Sequence, residues 1–162
     1  MSEDKEKNFL MHIREIAKNA FWDKIYKELD ENNFDSIISL VTDLSTRLTN
    51  LVPNNNKIQE EIRQEIDIDL IKQQLENGAF ESDDFLRMFD CFCKWLLHLS
   101  SPAWDSSTKR FRNSIHEGVK EIGYVKMLKY AMDGLNDGIM ITEYEVEEFY
   151  KKEKERQEEN KI

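Results

Sequence analysis

The sequence contains little glycine and proline, and it has no long apolar run. Only five glycines and two prolines occur among 162 residues, whereas sheet proteins depend on these two residue types for their many turns. No segment reaches the roughly 18 apolar residues that a membrane-spanning helix needs, and we expect no signal peptide at the start. We therefore expect a helical protein of the cytoplasm, without an integral membrane segment.

Cysteine and positive charge are also scarce. Cys91 and Cys93 are the only cysteines, and two residues apart on a helix their side chains diverge too far to form a disulfide bond, so we expect reduced thiols. The 33 acidic residues outnumber the 23 lysines and arginines, giving a formal net charge of -10. Such a surface repels the phosphates of nucleic acids, so no nucleic-acid partner is expected. We interpret the one local basic cluster, at Lys109, Arg110 and Arg112, as an exposed helix face.

Apolar residues recur at spacings of three and four along most of the chain, which is the period of one helix face. The first such stripe predicts one long helix or two joined ones, and its members are Phe9, Ile13, Ile16, Ala17, Ala20, Phe21, Ile25 and Leu29. The most hydrophobic stripe predicts a helix at the centre of the bundle, and its members are Phe85, Met88, Phe89, Phe92, Trp95, Leu96 and Leu99. We expect the tryptophans and phenylalanines to belong to the core.

These patterns predict an all-α fold, a single-domain helical bundle of about six helices. We expect a flexible N-terminus over residues 1–8 and the bundle over residues 9–138. A break at Gly138 would separate the bundle from a charged helix or tail over residues 139–162, and Thr142 with Glu145 would form a capping box there.

The stretch from Asn54 to Gly78 is predicted to form one central helix. Asn56 is its expected cap, with Gln59 completing a capping box three residues on, and Gly78 is its expected end. One apolar face would point to the core, and its members are Ile58, Ile62, Ile66, Leu70 and Leu75.

Acidic pairs in this helix do not form a catalytic pattern. Asp67 and Asp69 lie two residues apart and point to different helix faces, and Glu61 and Glu65 share a face without a histidine to complete a metal site. We interpret these carboxylates as solvated or as hydrogen-bonding groups between helices.

Two other candidate metal sites are also incomplete. Helical geometry scatters Cys91, Cys93 and His98, so we do not expect zinc or a thiol nucleophile. The segment from Asp133 to Tyr144 lacks two ligands of a calcium loop, and we interpret it as a link between helices. We expect no cofactor, no metal and no enzymatic activity.

Three blocks of the chain resemble the T-complex protein 11 family. They are AFWDKIYKEL at Ala20 to Leu29, EEIRQEIDIDLIKQQLENGAF at Glu60 to Phe80, and the Ser-Pro-x-x-Asp of Ser101 to Asp105. The middle block is the most specific, because Asp67 and Asp69 followed by Leu70, Ile71, Gln73, Gln74 and Gly78 are similar to a pattern of that family. The likeness covers roughly residues 20 to 115, as in a short version that keeps only the N-terminal part of the family domain. At Trp104 the chain departs from the arginine that the family usually has before the aspartate, so any ion pair made by that arginine is expected to be absent.

The resemblance implies an all-helical intracellular protein without known catalysis, connected with cyclic-AMP and protein kinase A signalling. It favours a regulatory module that binds a protein partner through the polar face of the central helix or through apolar surface left uncovered. The residues that we assign to partner binding are Asp67, Asp69, Gln73, Gln74, Trp104 and Asp105. The alternative is a homo-oligomeric structural protein, such as a homodimer formed through the same uncovered surface.

Overall fold

A computed structural model describes residues 2–161 and confirms the all-α, single-domain prediction. In this range there are seven α-helices, one 3-10 turn and no strand. The helices are α1 (Glu3–Asp30), α2 (Asp35–Asn50), α3 (Asn56–Glu65), α4 (Ile68–Glu76), α5 (Ser82–Leu99), α6 (Asp105–Ile122) and α7 (Tyr124–Glu159), with the 3-10 turn at Pro102–Trp104 between α5 and α6.

Helix α5 lies at the centre of the bundle and packs against α3, α6 and α7. Its rings Phe85, Phe89 and Phe92 are fully buried, and each contributes about 1.5–3 kcal/mol through removal of apolar surface from water. Glu81 caps the helix and forms a capping box with Asp84, whereas Ser82 is the first helical residue. The hydrophobic stripe of α5 is therefore the core element that the sequence predicted.

The prediction of one central helix from Asn54 to Gly78 is wrong, because the segment forms two helices. Helix α3 ends at Glu65, and α4 begins at Ile68 after Asp67, whose carboxylate accepts a hydrogen bond from the backbone N–H of Leu70 at 3.1 Å. That side-chain cap satisfies a backbone donor at the start of a new helix. Leu70, expected on the buried face, is 47% exposed.

The expected capping box at the start of this segment is wrong as well. Asn55 caps α3 in place of Asn56 by accepting a hydrogen bond from Ile58 N at 3.1 Å. The Gln59 side chain donates instead to the carbonyl oxygens of Thr49 and Val52. Gln59 therefore ties the start of α3 to the end of α2.

The expected break at Gly138 is also wrong, since α7 continues from Tyr124 to Glu159. Gly134 and Gly138 lie within this helix, and neighbouring side chains fill the space that their own side chains would take. A Cβ atom at Gly134 would collide with the Phe111 ring, and one at Gly138 would lie 3.0 Å from a Leu96 methyl group. Thr142 does not begin a helix, and its hydroxyl donates to the Gly138 carbonyl within α7.

Helix α1 begins at Glu3, so residues 3–8, which the sequence assigned to a flexible terminus, are helical. All side chains from residue 2 to residue 21 are exposed. The helix docks through its C-terminal half, where Trp22 and Ile25 are buried. Met1 and Ile162, which belonged to the predicted flexible N-terminus and charged tail, lie outside the described residues.

Candidate functional site

The four predicted site residues in α4 have different roles in the fold. Asp67 caps the helix, and Gln74 donates a hydrogen bond to the Asp84 carboxylate of α5 at 3.4 Å. Asp69 and Gln73 lie four residues apart on one helix face, and both are exposed. Two of these residues therefore stabilise the junction of helices, while Asp69 and Gln73 remain available to a partner.

The two predicted site residues after α5 lie at the 3-10 turn. Ser101 and Pro102 begin this turn, with the Ser101 hydroxyl accepting from Ala103 N. The Trp104 indole N–H donates to the Glu145 carboxylate of α7 at 2.5 Å. Trp104 thus supplies an uncharged donor to a carboxylate where the family pattern has an arginine. The Asp105 Oδ1 atom is buried and has no hydrogen-bond partner in the described part of the chain.

The structure does not bring these two groups together. Gln74 contacts Asp84 at the start of α5, whereas Trp104 follows the end of α5. An 18-residue helix is about 27 Å long, so the two groups lie at opposite ends of the bundle. The six residues therefore form two separate groups, and their assignment to partner binding stays a prediction.

Glu65 joins the end of α3 to α5, which is the hydrogen-bonding role between helices that the sequence gave as one of two interpretations for this carboxylate. Its carboxylate accepts hydrogen bonds from Lys94 Nζ at 2.6 Å and from the Trp95 indole N–H at 2.8 Å. The Lys94 hydrogen bond is the main cause that lowers the pKa of Glu65, with the Trp95 hydrogen bond adding to it against the opposing effect of burial. This carboxylate stabilises the packing of α3 on α5, since both of its oxygens accept hydrogen bonds from side chains of α5.

Polar groups elsewhere are also used within the fold. Burial is the main cause that raises the pKa of the Cys93 thiol to about 12, so at neutral pH the sulfur is protonated and a poor nucleophile. Arg112 and His116 of α6 both contact the Asp90 carboxylate of α5, with Arg112 Nε 2.9 Å and His116 Nε2 2.6 Å from Oδ1. The predicted basic face at Lys109, Arg110 and Arg112 therefore has one member engaged in an ion pair. Among residues 2–161 no group of histidine, cysteine, aspartate or glutamate side chains has a metal-binding arrangement.

An apolar stripe on the N-terminal half of α1, formed by Phe9, Ile13, Ile16 and Ala20, is exposed. Phe9 is 63% exposed, Ile13 45% and Ile16 56%. At 100° per residue these side chains point roughly 160° away from Trp22 and Ile25, which face the bundle. The predicted long helix over residues 9–29 is confirmed by α1, but its apolar residues form two faces, and only the C-terminal one is buried. We call the exposed face the α1 stripe.

The C-terminal half of α1 fixes the direction of the helix. The Trp22 indole N–H donates to Asp133 of α7 at 3.0 Å, and Lys18 forms an ion pair with the same carboxylate at 3.2 Å. The Tyr26 hydroxyl donates to the Val125 carbonyl at 3.0 Å. These contacts hold α1 on the start of α7, so the α1 stripe projects from a firmly attached helix.

A cavity of about 200 Å³ opens between α5, α6 and α7, and we call it the α5–α7 cavity. Its walls are mostly apolar, with serine, threonine and aspartate side chains among them. The lining residues are Leu96, Ser100, Trp104, Ser107, Thr108, Phe111, Gly134, Asp137, Gly138, Ile141 and Thr142. The sequence did not indicate this cavity, because only the packing of α5, α6 and α7 brings its lining residues together.

Comparisons with known proteins confirm the family likeness. A profile of the family described as T-complex protein 11 matches residues 3–136, a longer range than the predicted 20 to 115. The human T-complex protein 11 homolog is 27% identical over 104 residues, which cover 62% of this chain and 20% of that protein. The human T-complex protein 11-like X-linked proteins 1 and 2 are each 34% identical over 70 residues, which cover 41% of this chain and 14% of each relative.

The chain spans only a minor part of the length of these relatives. No solved structure gives a significant match. In the described range, every helix is too short or too polar to cross a membrane. With a family profile matched over most of its length, the chain belongs to the T-complex protein 11 family.

Proposed function

We propose that this chain is a non-enzymatic protein-interaction module of the cytoplasm that binds a protein partner through the α1 stripe. The observation that carries the proposal is the exposure of Phe9, Ile13 and Ile16 on one face of an ordered helix. Contiguous apolar surface that is open to water is unfavourable unless another surface covers it, and such patches mark interaction sites.

The spacing of the α1 stripe indicates how a partner would bind. Phe9, Ile13, Ile16 and Ala20 follow the pattern i, i+4, i+7 and i+11, which is the pattern of a helix that lies in an apolar groove. Because Trp22, Lys18 and Tyr26 attach the C-terminal half of the helix to α7, they fix the direction in which the exposed half projects from the bundle. We therefore infer a partner that has an apolar groove or helix face of matching length.

Variants on the two faces of α1 test this proposal. In a pull-down from native cells we expect Ile13→Glu with Ile16→Glu to abolish recovery of the partner, because two charges would enter an apolar interface. Lys7→Glu is the matched control, since it changes the net charge by the same amount as the two glutamates and lies roughly 150° from the stripe on the same exposed helix half. Equal recovery with both variants would contradict the assignment of the α1 stripe.

The exposed face of α4 remains a competing site for the same function. A variant with Asp67, Gln73 and Gln74 replaced by alanine tests it in the same pull-down. Loss of partner recovery there, with unchanged recovery by the α1 variant, would move the site to α4. Because Asp67 caps α4, the free energy of unfolding of this variant must be measured alongside.

Homo-oligomerisation through the α1 stripe is the second candidate function, since the same exposed apolar face would be covered by a second copy. Light scattering over a range of concentrations separates the two candidates. A strict monomer excludes the oligomer, whereas a dimer that dissociates on Ile13→Glu and Ile16→Glu substitution would replace the first proposal.

We further propose that partner binding regulates cyclic-AMP and protein kinase A signalling, which rests on the family resemblance. The expected result is that phosphorylation of protein kinase A substrates changes when the intact chain is expressed and does not change with the α1 stripe variant. If the intact chain and the α1 stripe variant changed substrate phosphorylation equally, the signalling role would not depend on the α1 stripe.

A further inference from the structure

The α5–α7 cavity has the size and lining of a site for a small molecule. Its volume of about 200 Å³ is somewhat larger than the roughly 150 Å³ of an apolar cavity that accepts benzene. The side chains of Leu96, Phe111 and Ile141 supply apolar walls. An aromatic ring with a short side chain is therefore the kind of group that fills this space.

Side chains packed on α7 and on the 3-10 turn bound the cavity. The Phe111 ring and a Leu96 methyl group fill the space beside Gly134 and Gly138, so these two lining side chains pack directly on the α7 backbone. On another side Trp104 is held in place by its hydrogen bond to Glu145, which lies 41 residues further along the chain. The cavity is thus bounded by groups that are fixed by packing and hydrogen bonding.

The charge at the cavity is negative. Asp137 is exposed at the rim, and within residues 2–161 it forms no ion pair or side-chain hydrogen bond. None of the lining residues is a lysine, an arginine or a histidine. A ligand with a positive charge outside the apolar space is therefore favoured over an anion.

One residue that lines the cavity has a hydroxyl group without a partner. Ser100 lines the cavity, and its Oγ atom is buried and has no hydrogen-bond partner in the described part of the chain. Buried polar atoms without partners are uncommon and unfavourable. A polar group on the ring of a ligand would satisfy this hydroxyl.

We propose that the α5–α7 cavity binds a small aryl-alkylamine. The ring occupies the apolar space and the ammonium group pairs with Asp137 at the rim. A hydroxyl group on the ring, where present, bonds to Ser100 Oγ. This site is separate from the α1 stripe, so neither proposal depends on the other.

Titration of the full chain with three probes, followed by NMR, tests the proposal. We expect phenethylamine to shift the backbone amides of residues 96–111 and 134–142, and to bind up to about fivefold tighter than the anion 3-phenylpropionate, because one exposed carboxylate contributes up to about 1 kcal/mol. Tyramine, which adds a ring hydroxyl, is expected to bind about threefold to tenfold tighter than phenethylamine, as a hydrogen bond to a buried partner allows.

Three variants assign the contacts. Asp137→Asn is expected to weaken phenethylamine binding about threefold, and Glu147→Gln, which removes an exposed carboxylate of the same helix outside the cavity, is expected to leave it unchanged. Ser100→Ala is expected to abolish the advantage of tyramine over phenethylamine. Amide shifts spread over the whole surface, equal binding of the amine and the anion, or no saturable binding would each overturn the proposal.

Discussion

At the scale of single residues, Glu65 illustrates how one side chain couples helices that are distant in sequence. It accepts hydrogen bonds from Lys94 and Trp95, which lie 29 and 30 residues further along the chain. Because the Lys94 hydrogen bond holds the pKa of Glu65 below its usual range, the ionised form is favoured in the folded protein. A carboxylate of lowered pKa stabilises the fold above its unfolded-state pKa, and this contribution is lost as the pH falls through the folded-state pKa.

We expect Glu65→Gln to lower the free energy of unfolding by about 1 kcal/mol at neutral pH, a small value because the side chain is partly solvated. The difference from the unchanged chain should shrink as the pH falls through the lowered folded-state pKa of Glu65, below which the carboxyl group is protonated in both states. Urea unfolding at several pH values measures this difference in the free energy of unfolding. Glu61→Gln, which changes an exposed carboxylate of the same helix, should have no comparable effect; a pH-independent difference for Glu65→Gln would contradict the coupling.

Single residues also mark the limit of what local sequence predicts. The role of Ser101 and Pro102 at the start of a helical turn follows from side-chain chemistry and from the fixed φ angle of proline, and the structure confirms it. The Trp104 hydrogen bond to Glu145 was not predictable, because only the packing of α6 on α7 brings these residues together.

At the scale of elements, α7 shows why a glycine does not always end a helix. Gly134 and Gly138 lie within its helical backbone, where glycine is unfavourable by about 1 kcal/mol relative to alanine. The glycine at position 134 is explained by the close approach of the Phe111 ring, which leaves no space for a side chain there. The Phe111 ring is held in this position by edge-to-face packing on Phe89, with ring centroids 5.4 Å apart.

Matched alanine substitutions test this account of α7. We expect Gly134→Ala to lower the free energy of unfolding by about 1–2 kcal/mol, because overpacking against Phe111 outweighs the gain in helix propensity. We expect Gly138→Ala to be neutral or stabilising within about 1 kcal/mol, because a Leu96 methyl group at 3.0 Å can move by a few tenths of an ångström. Urea unfolding of both variants measures the difference, and equal stabilisation by the two would show that Phe111 does not occupy the space beside Gly134.

Most helices were predictable from periodicity, and most errors lay at their ends. The break at Asn32 follows from its left-handed φ of 57°, and Gly123 has a φ of 85° that favours glycine between α6 and α7. The split after Ile66 was missed because apolar spacing alone suggested one stripe, although Asp67 supplied an available cap. At Asp67 the capping residue therefore indicates the helix boundary better than apolar spacing does. In α7, packing against other helices explains why the helix continues through Gly134 and Gly138.

At the scale of the whole molecule, α1 joins a buried half to an exposed half. The sequence predicts its helical period correctly, but periodicity alone does not show which surface covers an apolar face. The angular positions of the residues in the sequence could have indicated two separate apolar faces, because at 100° per residue Phe9, Ile13 and Ile16 point away from Trp22 and Ile25. The partner-binding surface that we propose therefore depends on the docking of α1, which only the structure reveals.

The distribution of burial predicts a gradient of local stability. We expect backbone amides of α5, which contains fully buried Phe85, Phe89 and Phe92, to exchange with solvent most slowly, through global unfolding. Amides in residues 3–17 and in the last turns of α7 should exchange fastest, because their side chains contribute few buried contacts. Hydrogen exchange followed by mass spectrometry measures this order, and equal protection of residues 3–17 and α5 in the isolated chain would indicate that the α1 stripe is covered.

Site-specific photo-cross-linking in native cells tests the proposed interaction surface most directly. A photoreactive side chain in place of Ile13 lies in the α1 stripe, and the same side chain in place of Asn8 lies on the opposite side of the helix. We predict that position 13 forms a covalent adduct with one distinct protein and that position 8 does not. The absence of an adduct at position 13, or equal adducts at both positions, would contradict a partner bound at the α1 stripe.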